Sequence, residues 1–321
     1  MSASEIGAAG LARLEPLVEA YPFKAYRNYR ALSRKKQDDV QRAELAGALG
    51  SAGGFGLIDR DPPRAAVAIR MLPWDSAFFE LPMARLLLVH DGSQDRESLR
   101  SLIHAACDAS RAQGVRHLSA RIDVADAEAI QALEDAGFRM MDALATYIYP
   151  LKRPPPEPGK DMGVLRLYQP GDRDQLLEIT REAYRGFRGR YHLDPHLPQS
   201  RSDELYVEWA KKSCDGEWAD VVLVTENGRG DLHGWASYRQ IEPVSTVGGT
   251  AIRGGGLGAC RRDKPGAYAG LLRAATIRIH GGGAITEMQT QIFNFATIRL
   301  YEAVDTRFVR ADYTLHAWLG E

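Results

Sequence analysis

Thr290-Gln291-Ile292-Phe293-Asn294, continued by Ile298-Arg299-Leu300-Tyr301-Glu302, is the stretch on which the reading of this chain turns. A strand ending in a polar pair runs into a helix opened by Asn294, a residue type suited to an N-cap. Tyr301 follows seven residues later, two helical turns on, and so shares the face of Asn294. A phenol held there can give a proton to a leaving group. It can equally be a core residue of an amphipathic helix behind an ordinary cap, and the window alone does not choose.

The same signals occur once before. At a constant offset of 168 residues, Ile130 matches Ile298, Glu134 matches Glu302, Arg139 matches Arg307, Ala143 matches Ala311 and Thr146 matches Thr314. Each copy reads strand, polar residue, helix, aromatic-rich strand, with Asp126 opening the first helix where Asn294 opens the second. Repetition with matching element order argues for two copies of one fold. The copies differ in their chemistry. Leu133 stands in the place of Tyr301. The first helix ends on Ala136-Gly137-Phe138, a glycine C-cap, where the second has Val304-Asp305-Thr306. The first copy keeps the punctuation and lacks the phenol, which points to chemistry in the second half.

Between the halves, Lys152-Arg153-Pro154-Pro155-Pro156-Glu157-Pro158-Gly159 reads as a linker, because its prolines lack amide donors and favour an extended helix. The expected division is a helical extension over residues 1–52, a degenerate first unit over 53–153 and a second, catalytic unit over 159–321. Residues 5–50 have apolar groups at helical spacing, interrupted by Pro22, and predict two or three helices. A hairpin is expected around Asp61-Pro62-Pro63, then strand 86–90, helix 97–113 and strand 117–122. After strand 164–167, the second half predicts helices 172–184 and 201–213 and strands 221–226 and 233–239. A glycine-rich strand 250–260, helix 267–279, strand 284–292, helix 294–303 and strand 308–318 complete it. The fold class is α+β, two mixed-sheet units with flanking helices.

Composition narrows the function classes. Forty-one basic and 42 acidic residues leave a net charge of −1, so no bulk field draws the chain to nucleic acid or an anionic membrane. Cys107, Cys214 and Cys260 are far apart, show no metal-ligand spacing and fit small thiols in a reducing cytoplasm. No apolar run is long enough to span a membrane, and Met1 to Glu5 lack the regions of a signal peptide. The expectation is a cytoplasmic chain without metal, nucleic-acid or membrane partners, with a homodimer left open.

These residues together resemble the GCN5-related N-acetyltransferases. Thr290-Gln291 with Asn294 and Tyr301 is similar to the last strand and helix of that superfamily. Leu72-Pro73-Trp74-Asp75-Ser76-Ala77-Phe78-Phe79, and Phe187-Arg188 through Leu205-Tyr206-Val207-Glu208-Trp209, are similar to its dTDP-fucosamine acetyltransferase type. The resemblance covers about residues 70–318 and implies a tandem fold with acetyl-CoA as acyl donor. The superfamily cradles the donor's pyrophosphate on a basic, glycine-rich loop before a helix. Here that loop is Arg261-Arg262-Asp263-Lys264-Pro265-Gly266-Ala267-Tyr268, with Asp263 where a basic residue is expected and Tyr268 where a small one is. Helix-start amides can still hold phosphate, with Arg261, Arg262 and Lys264 supplying charge and Pro265 and Gly266 suiting the helix entry.

The implied mechanism is direct attack by an amine on the thioester, held between strands 250–260 and 284–292. A backbone amide at Leu257, Gly258 or Ala259 would polarise the carbonyl, Tyr301 would protonate the departing thiolate, and Asn294 would hold a donor amide or a water. Phe187, Arg188, Arg190, Tyr191 and His192 combine aromatic and cationic groups in what reads as a loop, suited to a nucleotide-linked amino sugar. An amino acid, peptide or small metabolite amine is the alternative acceptor, and a non-catalytic CoA-binding scaffold the alternative class. Glu242 and His233 are weaker candidates for assisting deprotonation. His192, His196 and His316 read equally as surface or packing residues. Trp74, Phe78 and Phe79 are expected as packing anchors of the first half.

Overall fold

Capping and turn residues set most element boundaries where the periodicity places them. The computed structural model describes residues 3–93, 95–157, 163–264 and 266–320. The strands are β1 (Ser4–Ile6), β2 (Phe55–Ile58), β3 (Ala65–Met71), β4 (Met83–His90), β5 (His117–Asp123), β6 (Arg139–Tyr149), β7 (Val164–Leu167), β8 (Val221–Glu226), β9 (Leu232–Gln240), β10 (Ile252–Cys260), β11 (Ile285–Gln291) and β12 (Arg307–Trp318). The helices are α1 (Glu15–Ala20), α2 (Arg34–Leu49), α3 (Pro73–Phe79), α4 (Arg96–Ala112), α5 (Ala127–Asp135), α6 (Arg173–Tyr184), α7 (Arg190–Leu193), α8 (Gln199–Cys214), α9 (Val244–Val247), α10 (Ala267–Gly281) and α11 (Phe295–Ala303). A tight 3-10 turn, Ala8–Leu14, precedes α1.

Asp126 and Asn294 both cap their helices as expected. The Asp126 carboxylate accepts the Ala129 amide at 3.2 Å, and the Asn294 side-chain oxygen accepts the Thr297 amide at 3.3 Å. Gly137 follows α5 at φ 91°, the left-handed conformation that a glycine C-cap supplies without strain. Two expectations need correcting. Residues 187–192 are not all loop, because Arg190–Leu193 forms a helical turn that buries Tyr191 and His192. Trp74, Phe78 and Phe79 are not core anchors either. They lie on α3, which has no fully buried residue, with Trp74 stacked on Phe78 at 5.3 Å.

The chain forms two compact units, Met1–Ala143 with Arg310–Glu321, and Leu144–Val309. The first carries strands in the order β1-β2-β3-β4-β5-β12, and the second carries β7-β8-β9-β10-β11-β6. In each, one central pair is parallel, β4 with β5 and β10 with β11, while the other neighbours whose register is defined run antiparallel. The apolar core of the first unit gathers Phe55, Ile69, Leu86, Ile103, Leu133 and Leu315. That of the second includes Leu223, Tyr238, Leu271 and Ile279.

These units do not end where the repeat and the linker place boundaries, at 153 and 159. Asp312–Trp318 of β12 pairs with His117–Asp123 of β5, and Leu144–Tyr149 of β6 pairs with Thr286–Gln291 of β11. Each unit therefore completes its sheet with the strand that follows the other unit's last helix. Ladder bonds decide membership, and a contiguous cut severs them. Pro158 and Gly159 of the linker lie outside the described residues.

A fragment ending at Arg153 keeps the first repeat intact but leaves β5 with an unpaired edge. It should fail to melt cooperatively by circular dichroism, and adding a peptide of residues 307–320 in trans should restore part of the transition. A cooperative melt of the fragment alone would show that the strand exchange is dispensable.

Candidate active site

Parallel strands β10 and β11 pair only through Ile252↔Ile285, Arg253↔Thr286 and Gly254↔Glu287. Beyond Gly254 they part, β10 staying with β9 and β11 with β6. A bulge in β10 between Gly255 and Gly258 marks the separation. Ser237 on β9 is built into it, its hydroxyl accepting the Leu257 amide at 2.9 Å and donating to the Leu257 carbonyl at 3.1 Å. Glycine is needed at 256 because a Cβ there would sit 2.7 Å from that hydroxyl oxygen.

The bulge sets which backbone groups face the parted side. Leu257 is tied to Ser237, Ala259 stands opposite Trp235 of β9, and two residues on, in the same phase of the ladder, the Arg261 amide donates to the His233 carbonyl at 2.8 Å. Alternation then turns Gly258 the other way, its N–H and C=O toward the gap. Of the three amides considered from the sequence, Leu257 and Ala259 are directed at β9, and Gly258 alone faces the opening.

Tyrosines from four elements surround this gap. Tyr301 of α11 is buried against Ala145, Tyr147, Leu272, Met288 and Val304. Its phenol donates to the Gln289 carbonyl on the β11 side at 3.0 Å. Tyr184 of α6 donates to the Gly258 carbonyl on the β10 side at 2.8 Å. The Tyr268 ring lies against Gly258, and Tyr238 comes from β9. Burial pushes the Tyr184, Tyr238 and Tyr301 phenols above the ordinary range and Tyr268 up to about 12. All four stay protonated at neutral pH and are proton or hydrogen-bond donors.

Gly266 begins α10 at φ 92°, a left-handed conformation, and no side chain caps this helix. Arg262, Lys264 and Gly266 are exposed beside it. Arg261 lies 3.5 Å from Asp263, and Arg262 donates to the Glu182 carbonyl at 3.0 Å. The Ala267 amide donates to the Lys264 carbonyl at 3.2 Å, and the Tyr268 amide to the Cys260 sulfur. Pro265 lies outside the described residues.

Other expected site residues are placed differently. Asn294 is engaged at both ends of its side chain, with Thr297 and with the Thr290 hydroxyl at 3.0 Å, and serves as a cap. His192 is buried, bonded to Asp203 at 3.0 Å and stacked on Tyr206. Tyr191 is buried beneath the Arg190 guanidinium, 4.2 Å from its ring centre. Phe187 is half-buried, edge-on to Tyr184 at 5.3 Å, and Arg188 is exposed. Glu242 accepts from Thr246 and Gln240, bonds that lower its pKa and mark it as a structural cap of α9. His196 is exposed beside Asp194, while His316 is buried against the His117 ring. Cys107 is buried, and Cys214 and Cys260 are half-buried. Tyr184, Tyr238 and Ser237 carry no local motif, so the sequence did not single them out.

The first unit has the same parting. Its parallel pair ends at Leu86↔Ala120, but the opening is filled from within. Tyr21 sits edge-on to His90 of β4 at 5.5 Å, and Phe23 lies 5.9 Å from the same ring. Arg27 clamps Asp123 at the end of β5 with bonds of 2.5 and 3.0 Å. His90 in turn binds the Asp126 carboxylate at 2.9 Å. The helix equivalent to α10 is α4, whose start is capped by the Asp95 carboxylate, 3.1 Å from the Ser98 amide. A carboxylate on the helix start opposes phosphate there.

No protein-family profile matches the chain. Among curated proteins it is 25% identical over 153 residues to the spore coat polysaccharide biosynthesis protein SpsD of Bacillus subtilis (strain 168), covering 48% of this chain and 50% of that one. The match thus spans half the length of that relative. Among solved structures, a GCN5-related N-acetyltransferase from Sphaerobacter thermophilus aligns over 100% of this chain and 96% of its own, with a TM-score of 0.65 and 14% identity. A tandem protein of that superfamily from the clavulanic acid biosynthesis pathway aligns over 100% and 99%, with a TM-score of 0.55 and 14% identity. The fold is that of the GCN5-related N-acetyltransferases, over the full chain.

The buried phenols give a test with a definite sign. Their folded-state pKa values exceed the unfolded value near 10, so the stability they contribute is complete below about pH 10 and is lost as pH rises through the folded values. In an alkaline titration followed at 295 nm, part of the 13 tyrosines should ionise near the ordinary pKa and the rest only with loss of far-UV dichroism. Ionisation of all of them in one step near pH 10, with the fold intact, would contradict this burial.

Proposed function

We propose that the protein is an acyltransferase that moves an acyl group from acetyl-CoA to a primary amine, with the second unit as its working half. The observation carrying this reading is the parting of β10 and β11, whose two sides carry Gly258 and a protonated, buried Tyr301. The gap fits an extended thioester arm. The start of α10, which no side chain caps, lies beside Arg261, Arg262 and Lys264 and suits its diphosphate once Ala267 and Tyr268 turn their amides from Lys264 and Cys260. Acetyl-CoA supplies the activated acyl group as a thioester.

The chain's own residues then have distinct tasks. The Gly258 amide stabilises negative charge gathering on the carbonyl oxygen. The amine nitrogen forms the new bond to the carbonyl carbon as the carbon–sulfur bond breaks. Tyr301 gives its proton to the leaving sulfur, and the proton shed by the amine restores the phenol through solvent. With a neutral amine entering and a neutral thiol leaving, no net proton is consumed. Burial keeps the Tyr301 proton on the phenol at neutral pH, so it is in place when the sulfur departs.

For the acceptor, we favour a nucleotide-linked amino sugar. Phe187 and Arg188 offer a ring and a cation one contact from Tyr184, a pairing suited to a base and a phosphate. The likeness to SpsD, a polysaccharide biosynthesis protein by name, supports a sugar acceptor.

Calorimetric titration with acetyl-CoA should show one site per chain, since the first unit fills its own opening with Tyr21, Phe23 and Arg27. Two sites would contradict that filling, and none would favour the non-catalytic scaffold reading. Tyr301→Phe should lower turnover by about 10²–10⁴-fold and leave acetyl-CoA affinity within about twofold. Unchanged turnover would remove Tyr301 from the chemistry.

A further inference from the structure

The parted strands carry a second phenol opposite Tyr301. Tyr184 reaches the gap from α6, an element distant in sequence from both strands, and its hydroxyl lies 2.8 Å from the Gly258 carbonyl oxygen. In an extended strand the N–H and C=O of one residue project to the same side. An oxygen accepting the Gly258 amide therefore arrives beside this hydroxyl. Tyr301 bonds the other side of the gap at Gln289, so the two phenols address different positions along any group lying between the strands.

Tyr184 is also held in place. Its ring stacks on Tyr206 at 4.4 Å with 7° between planes, and Phe187 meets it edge-on at 5.3 Å. Tyr206 continues the stack to His192, which Asp203 fixes at 3.0 Å. Tyr206 of α8 and Phe187 of the loop after α6 thus set the ring, leaving the hydroxyl a rotation about its own C–O bond. A ring fixed before the reaction begins leaves only the hydroxyl torsion to change as charge develops. Burial keeps this phenol protonated, so it acts as a donor and not as a base.

We propose that Tyr184 is a further catalytic residue, whose hydroxyl turns from the Gly258 carbonyl to donate to the thioester carbonyl oxygen beside the Gly258 amide. The assignment rests on the transferase reading above and divides the work between two phenols. Tyr184 polarises the carbonyl, and Tyr301 protonates the sulfur. No bond is made or broken at Tyr184, and its proton stays on the phenol throughout.

The test uses the full chain and acetyl-CoA labelled with ¹³C at the acetyl carbonyl. On binding, the carbonyl resonance should move downfield as the oxygen is polarised. Tyr184→Phe keeps the stacked ring and should cancel roughly half of that displacement, while Tyr301→Phe should leave it unchanged. In steady state, Tyr184→Phe should lower kcat by about 10²-fold, with KM for acetyl-CoA within about twofold. Equal carbonyl displacement in wild type and Tyr184→Phe, with acetyl-CoA bound to both, overturns this assignment alone. Failure of acetyl-CoA to bind wild type overturns the transferase reading and this assignment with it.

Discussion

Two parallel strands that stop pairing after three residue pairs organise the second unit. A bulged strand cannot keep register with both neighbours, because the inserted residue shifts its backbone groups against one of them. Here β10 keeps β9 through the Ser237 hydroxyl and releases β11. The released edges take their partners from helices, Tyr184 of α6 at the Gly258 carbonyl and Tyr301 of α11 at the Gln289 carbonyl.

The same parting in the first unit shows how the repeated architecture serves a different end. Apolar and aromatic groups from the N-terminal segment occupy it, Arg27 and Asp123 lock it, and an aspartate caps the helix that would otherwise receive an anion. An interior polar gap must be filled by ligand, water or protein, and here protein fills it. The N-terminal extension, whose role composition did not reveal, thereby acquires one within its own unit. Leu133 agrees with this division, since in the first core it packs where a phenol would need a partner.

The two units also share strands in a way that joins their folding. β12 follows the second unit's last helix and belongs to the first unit's sheet, while β6 belongs to the second's. The first unit's ladder then awaits the C-terminal strand, a pairing of high sequence separation with its closure entropy.

Much of this was legible in the chain before any tertiary contact. Helical spacing, the Asp126 and Asn294 caps, the glycine after α5 and the 168-residue repeat determined the elements, the fold class and which half carries the phenol, because each depends on residues close along the chain or repeated at a fixed interval. The unit boundaries, the direction of the Gly258 amide, the burial of Tyr191 and His192, and the arrival of Tyr184 and Tyr238 were decided only by the tertiary structure. Strand partnership and the aim of a backbone group depend on which distant segment lies alongside. No local period records that.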